Sequence, residues 1–436
     1  MSTNNASFFE KQFKLKEHGT DVKTEMIAGL TTFMTMAYIL IVNPLILADA
    51  GMDFGAVFTA TALASVVATC VMAFGANLPF VLAPGMGLNA FFAYTVVLTM
   101  GYSWQFALTA VFIEGIIFLI LTFFNVREAI IDSIPNNIKK AISVGIGLFI
   151  AIIGFVNAGV VVGGGGTVLS LGNITEGGAL LALIGIIITG VLLAKNVKGA
   201  IFIGILVTTI IGFPLGVTTF PGGSLISMPK SPIFWAFEFD KLFTVDMLIV
   251  LLTFLFVDMF DTIGTLIGVS TKADMLDEDG RLPGVKAALF ADAVGTTFGA
   301  IIGTSTVTTY VESASGVAEG GRTGLTALSA AFFFFIALFL SPLFIMIPGA
   351  ATAPALIIVG LFMMSPIKEI DLDDFTEAIP AFLTIVMMPF SYSIAEGIAF
   401  GIISYAALKL LTGRAKECPL VTYVIAVLFV LKIIFA

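Results

Sequence analysis

Gly303-Thr304-Ser305-Thr306-Val307-Thr308-Thr309-Tyr310-Val311-Glu312-Ser313 interrupts a strongly apolar chain with a hydroxyl-rich, β-prone run that ends on a carboxylate. The stretch Ala83-Pro84-Gly85-Met86-Gly87-Leu88-Asn89-Ala90-Phe91, broken by Pro and Gly, stands at the equivalent place earlier in the chain. Extended backbone at membrane depth is tolerable only where protein buries it or a cavity solvates it. A matched pair of interrupted segments in the two halves of a carrier is the best sequence pointer to its binding site. Asn89 and Glu312 fall at nearly equivalent places in the pair. Each is expected at the start of a half-helix whose free N–H groups face the ligand.

The surroundings of these two stretches are those of a membrane protein. Of 436 residues, 58% are hydrophobic and 11% charged, and mean hydropathy is +1.10. Soluble domains carry roughly 25% charged residues. An apolar span of about 20 residues crosses the hydrocarbon core. Such runs fall near 24–47, 55–76, 84–99, 104–124, 139–159, 177–194, 199–217, 246–269, 285–302, 311–321, 324–346, 351–365, 378–391 and 393–411. The sequence thus predicts an all-α polytopic protein of about fourteen spans. Val421–Ala436 reads as either a further span or an in-plane helix.

With a cytoplasmic N-terminus, Lys11, Lys14, Lys16, Lys23, Arg127, Lys139, Lys140, Lys195, Lys198, Lys272, Arg281, Lys286, Arg322, Lys368, Lys409, Arg414 and Lys416 all lie inside. That is 17 of the 20 basic residues, the skew expected of a correct span count. Phe74-Gly75-Ala76 recurs as Phe298-Gly299-Ala300. Ile134-Pro135 with Gly147-Leu148-Phe149 recurs as Ile347-Pro348 with Gly360-Leu361-Phe362. Seven spans per copy leave the chain on the other side, so the second copy is inserted upside down. Inverted repeats characterise alternating-access carriers.

Several classes drop out. The net charge of −9 offers no basic face for nucleic acid. Cys70 and Cys418 read as free thiols, and His18 is the single histidine, so zinc sites and His-based triads are excluded. No metal or cofactor is expected. Residues 1–23 read as a cytoplasmic tail leading into a full-length span, not as a cleavable signal. The Gly163–Gly166 run reads as a flexible outer loop. Without a following Lys-Ser/Thr it is no phosphate loop.

The chemistry concentrates in the eighth span, Phe256-Val257-Asp258-Met259-Phe260-Asp261-Thr262-Ile263-Gly264-Thr265. Asp258 and Asp261 share one helical face, which Thr265 continues. A carboxylate at mid-span costs at least ~2.5–3.5 kcal/mol, so two of them demand a polar cavity. Glu312 joins them from the tenth span. Glu114, Asp292 and Glu396 are weaker candidates, each equally readable as a structural hydrogen-bonding group. Phe91 and Tyr310 are placed to stack a planar ligand, although most of the 42 phenylalanines are packing material. No intramembrane Lys or Arg awaits an anion. Ionised carboxylates only accept hydrogen bonds, whereas Asn donates and accepts. The set suits a neutral, flat, donor-rich molecule such as a purine, with its N–H groups on Glu312 and an aspartate and its ring nitrogens or carbonyl on Asn89. A carboxyl protonated in one state and ionised in another couples substrate to protons; sodium coupling would fit the same residues.

The runs Pro84-Gly85-Met86-Gly87-Leu88-Asn89-Ala90-Phe91-Phe92, Asp258-x-x-Asp261-Thr262-Ile263-Gly264-Thr265 and Thr309-Tyr310-Val311-Glu312-Ser313 together resemble the nucleobase–cation symporters of the nucleobase–ascorbate transporter family. Their adenine/guanine/hypoxanthine permease branch is most similar, over nearly the whole chain. The resemblance implies a 7+7 inverted-repeat fold with short antiparallel strands in spans 3 and 10. After the tail 1–23, a core domain would comprise 24–125 and 246–348, and a gate domain 126–218 and 349–412. The latter is usually the homodimer contact, and 413–436 forms a tail. An elevator-like movement of core against gate would import a purine together with a proton across a bacterial inner membrane. Asn89, Asp258 and Glu312 would contact the purine, with Ser313, Thr265, Phe91 and Tyr310 nearby, and Asp261 would serve proton coupling beside Glu312. Alignment with uracil permeases gives Asp261 the contact role instead, and the resemblance leaves both assignments open. Gly87 is a candidate specificity position. The apolar stretch beyond Cys418 exceeds a fourteen-span fold.

Rival readings are an anion carrier of the same fold and a permease for pyrimidines, xanthine or ascorbate. An intramembrane aspartyl protease would carry its aspartates on separate spans, unlike the i, i+3 pair here. A passive channel would not concentrate its substrate.

Overall fold

A wholly apolar segment can satisfy its backbone only within itself, so each such run folds as a helix. The computed structural model describes residues 8–124, 135–163, 168–219, 226–272, 275 and 282–435. Its spans, in order, are Val22–Asp49, Phe54–Ala76, Met86–Thr99, Trp104–Phe124, Asn136–Asn157, Gly177–Ala194 and Ala200–Gly212. Then follow Val245–Lys272, Val285–Ile302, Ser313–Ala318, Gly324–Ile345, Gly349–Glu369, Phe375–Ser391 and Ile394–Leu411. Among the described residues, nine helices are long and apolar enough to cross a membrane alone. Of the glycine run, Gly163 ends a short hairpin strand, and Gly164–Gly166 lie outside the described residues.

Spans 3 and 10 are strand and half-helix in succession. Leu82–Pro84 pairs antiparallel with Val307–Thr309 in the register Leu82↔Thr309, Ala83↔Thr308, Pro84↔Val307. Further bonds from Gly85 N–H to Thr306 O (3.0 Å) and from Tyr310 N–H to Val81 O (3.0 Å) extend the ladder at both ends. All six strand residues are buried, which meets the condition for non-helical backbone inside a membrane. The ends of the two broken spans therefore meet at one place.

Packing displays the inverted repeat. Span 4 lies on spans 8 and 9, and span 11 on spans 1 and 2. Among the remaining helices, span 5 packs on 12 and 13, span 12 on 5 and 6, and spans 6–7 and 13–14 form matching pairs. Spans 5 and 12 cross at the glycine pair read from the repeat. A Cβ on Gly147 would lie 2.5 Å from Gly360 O, and one on Gly360 would lie 2.4 Å from Gly147 O. Small residues are what let membrane helices approach this closely.

Two end fittings were not read from the sequence. The buried Glu25 carboxylate of span 1 accepts from Arg322 N–H (2.8 Å), Thr323 Oγ1 (2.8 Å), Thr326 N–H (3.0 Å) and Thr326 Oγ1 (2.7 Å). It thereby satisfies the orphan Thr326 N–H in the first turn of span 11, where Asn77 takes that of Gly324. Beyond span 14, Arg414 ties Asp374 (2.5 Å) to Glu417 (2.7 Å), while buried Lys409 bridges Glu377 and Glu417. The segment at the C-terminus, left open above, is a helix, Leu420–Phe435, packed against span 14.

Candidate substrate-binding site

The site is built where the two half-helices begin. Met86 opens the first behind Gly85, so Asn89 is its fourth residue and not its first. Glu312 is the N-cap of the second, Ser313–Ala318. The carboxylate of Glu312 accepts from the Tyr38 hydroxyl at 2.7 Å. Tyr38 sits where span 1 is divided, between Val22–Met36 and Ile39–Asp49. Asp261 faces the same space: a Cβ on Gly85 would lie 3.7 Å from its Oδ2. Asp261 also lies within electrostatic reach of Glu312, and both carboxylates act on Tyr38 and Tyr310. Asp261 and Glu312 stay only half-buried although both lie within the span bundle, as cavity-wall groups do. Among the described residues, no Lys or Arg pairs with either. The cluster is thus two acceptors, two phenols and the start of a half-helix.

Residues 23–400 match the model of a permease family, Xan_ur_permease. The chain belongs to that family. The permease is 46% identical to the adenine permease AdeP of Escherichia coli, with 99% of this chain and 97% of that one aligned. It is also 46% identical to the guanine/hypoxanthine permease PbuG of Bacillus subtilis, over 97% and 99% of the two chains. Among solved structures, the transmembrane domain of the cyanobacterial bicarbonate transporter BicA superposes with TM-score 0.68 at 16% identity, covering 86% of the permease and 97% of that domain. That likeness is one of fold, the 7+7 inverted repeat of a multi-span membrane transporter. The permease is a carrier and not an enzyme.

The other predicted residues of the permease surround this cluster at differing depth. Asp258, fully buried, belongs to a network behind the strands: Thr262 Oγ1 lies 2.8 Å from Asp292 Oδ1, 2.6 Å from Thr308 Oγ1 and 3.4 Å from Asp258 Oδ1. Glu114, also buried, accepts from Thr306 Oγ1 at 2.6 Å. Asn89 Oδ1 accepts a short bond from Ser305, and Asn43 Nδ2 donates to Thr304 Oγ1 at 2.9 Å. Three successive hydroxyl residues of span 10 thus each engage a different span. Ser313 Oγ accepts from Val81 N–H (3.0 Å), and the Tyr310 hydroxyl donates to Pro84 O (2.5 Å). Thr265 lies one turn beyond Asp261 and is buried. Phe91 is enclosed, its ring edge-on to Phe254 at 4.8 Å. Gly87 faces span 5, where a Cβ would approach Ile146 Cγ2 to 2.8 Å. Glu396 bonds through its N–H to Ser393, at the start of span 14.

Sequence reasoning missed Tyr38. The available signal was a tyrosine amid an apolar run, without Pro or Gly to announce the break.

Proposed function

We propose that this permease imports purine nucleobases (hypoxanthine, guanine, adenine) by proton symport, in an elevator-type alternating-access cycle. The observation carrying the reading is the meeting of Glu312 and Asp261 at the half-helix ends with no cation among the described residues to pair them. Two carboxylates facing one space repel anions and take N–H donors. This disfavours an anion carrier despite the fold shared with a bicarbonate transporter. Full-length relatives named for adenine and for guanine/hypoxanthine support these three purines over a pyrimidine or xanthine.

In this reading Glu312 and Asp261 receive the ligand's N–H groups and Tyr38 holds Glu312 in place. Asn89 fixes the half-helix of span 3 through Ser305, and Asp258 braces the strands through Thr262. Protonation of Asp261 or Glu312 in one half of the cycle couples proton to substrate. Spans 1–4 and 8–11 move as the core against a gate of spans 5–7 and 12–14, which supplies a homodimer contact. The N-terminus is cytoplasmic and the membrane a bacterial inner membrane.

The test is uptake of labelled hypoxanthine, guanine, adenine, uracil and xanthine in cells without nucleobase carriers, with and without a protonophore. Purine accumulation that the protonophore abolishes is expected. Equal accumulation of uracil, or purine entry that never exceeds equilibration, would overturn it.

A further inference from the structure

Beside apolar contacts such as Phe202 on Phe344, the two helix groups meet through polar side chains on two opposite faces of the molecule. On the face reached by the ends of spans 1, 3, 5 and 13, the Tyr94 hydroxyl donates to Asp49 (2.8 Å) and accepts from Asn157 Nδ2 of span 5 (3.1 Å). The Tyr94 ring stands edge-on to Tyr392 at 6.5 Å, and Thr95 Oγ1 bonds Tyr392 O at 3.5 Å. Tyr392 in turn packs edge-on against Phe149 at 5.5 Å. On the N-terminal face, Glu319 at the end of span 10 forms a short ion pair with Lys198 between spans 6 and 7. Beside it, a Cβ on Gly199 would lie 3.3 Å from Met34 of span 1.

These two contacts are the same contact, inverted. Tyr94 and Glu319 stand at the offset that relates the strands Leu82–Pro84 and Val307–Thr309. Of their gate-side partners, Asn157 ends span 5, and Lys198 and Tyr392 lie just after equivalent helices, spans 6 and 13. Each of those helices runs into a left-handed residue with φ of 54°, Asn196 and Tyr392 respectively. Symmetry placed a latch at each mouth; divergence made one aromatic and hydrogen-bonded, the other ionic.

We infer that Tyr94–Asn157/Tyr392 and Glu319–Lys198 are the paired outer and inner latches of the transport cycle, one releasing as the other holds. The inference rests on the core-against-gate movement proposed above. Lys198 is 54% exposed and Glu319 25%, so the inner latch is individually weak and open to screening by salt. A weak latch suits a carrier whose two states must interconvert.

The experiment reads spin-label distances in lipid nanodiscs without substrate, between Ala318 and Lys195 on the N-terminal face and between Met100 and Ser391 on the other. Both labelled pairs are introduced as cysteines, with Cys70 and Cys418 replaced by Ser. Lys198→Glu or Glu319→Lys should raise the long-distance population on the N-terminal face at least threefold, and the double charge swap should restore it. Tyr94→Phe should raise the long-distance population on the opposite face. In the unswapped protein, raising salt from 20 mM to 1 M, roughly a fivefold or greater shortening of the screening length, should widen the N-terminal face only. Unchanged distances in both single variants, or a swap that fails to restore them, would overturn the latch. The salt series decides the matter if a variant fails to fold, and widening of neither face there also overturns it. Because no substrate is present, failure here leaves the purine assignment standing, and failure of purine uptake leaves the latches standing.

Discussion

Spans 3 and 10 share one plan and hardly a side chain. Each is a buried three-residue strand followed by a half-helix, yet one is Pro-Gly-Met-Gly and uncharged, the other hydroxyl-rich and acidic. What span 3 contributes is mostly space. A Cβ on Gly85 would meet Thr308 Cγ2 at 2.6 Å, and one on Gly87 would meet Ile146. What span 10 contributes is chemistry: Glu312, Tyr310 and three hydroxyls spent on neighbouring spans. Duplication and inversion supply the geometry twice, but of the two half-helix starts only that of span 10 carries a carboxylate.

The sharpest way to break this contrast is to remove the polar residue from each half. Glu312→Ala should lower purine uptake at least 100-fold at unchanged membrane expression, whereas Asn89→Ala should lower it less than tenfold; equal losses would refute the division of labour. Next comes the space itself. Gly85→Ala should cost ten- to thirtyfold in uptake, and Thr308→Ser, which removes the obstructing methyl but keeps the hydroxyl beside Thr262, should recover most of it. No recovery would mean that Gly85 serves something other than fit. Tyr38→Phe deletes one charge-assisted bond, worth about 1.5–3 kcal/mol. About a tenfold rise in half-saturating purine concentration is expected with little change in maximal rate, and a smaller effect on a Glu312→Gln background, whose amide oxygen accepts only a neutral bond. An effect of equal size on that background would detach Tyr38 from Glu312.

The smallest effect lies outside both spans and serves as their control. Arg414 holds the Asp374 and Glu417 carboxylates down at about 2, chiefly through its hydrogen bonds. A depressed carboxyl adds stability above its unfolded value near 4, and that stability disappears as pH falls through about 2. The melting temperature of Arg414→Gln should therefore lie slightly below that of the parent at pH 6, with the gap closing between pH 4 and 2. A gap that widens in acid would contradict the assignment.

Much of the fold was legible because lipid imposes lengths: apolar runs, basic loops and matched interruptions gave the spans, and shared glycines gave the repeat. The finer site was not. Asp258 and Asp261, three residues apart, differ by about 60° around a helix of 3.6 residues per turn. That is enough to point one behind the strands and the other at Glu312, and no spacing rule says which. Phe91 and Phe254 are indistinguishable in sequence from rings that line a cavity. Tyr38 had no breaker beside it, and Glu25 caps a helix almost 300 residues away.

The crossing of Gly147 and Gly360 has a consequence for how such a chain arises. Two separate half-length chains assembled as an inverted two-fold pair would meet at this residue in both copies, so one codon change would have enlarged both sides of the contact together. Once the halves are joined in a single gene, each glycine faces mutation alone, and either one, on its own, is enough to wedge the crossing apart.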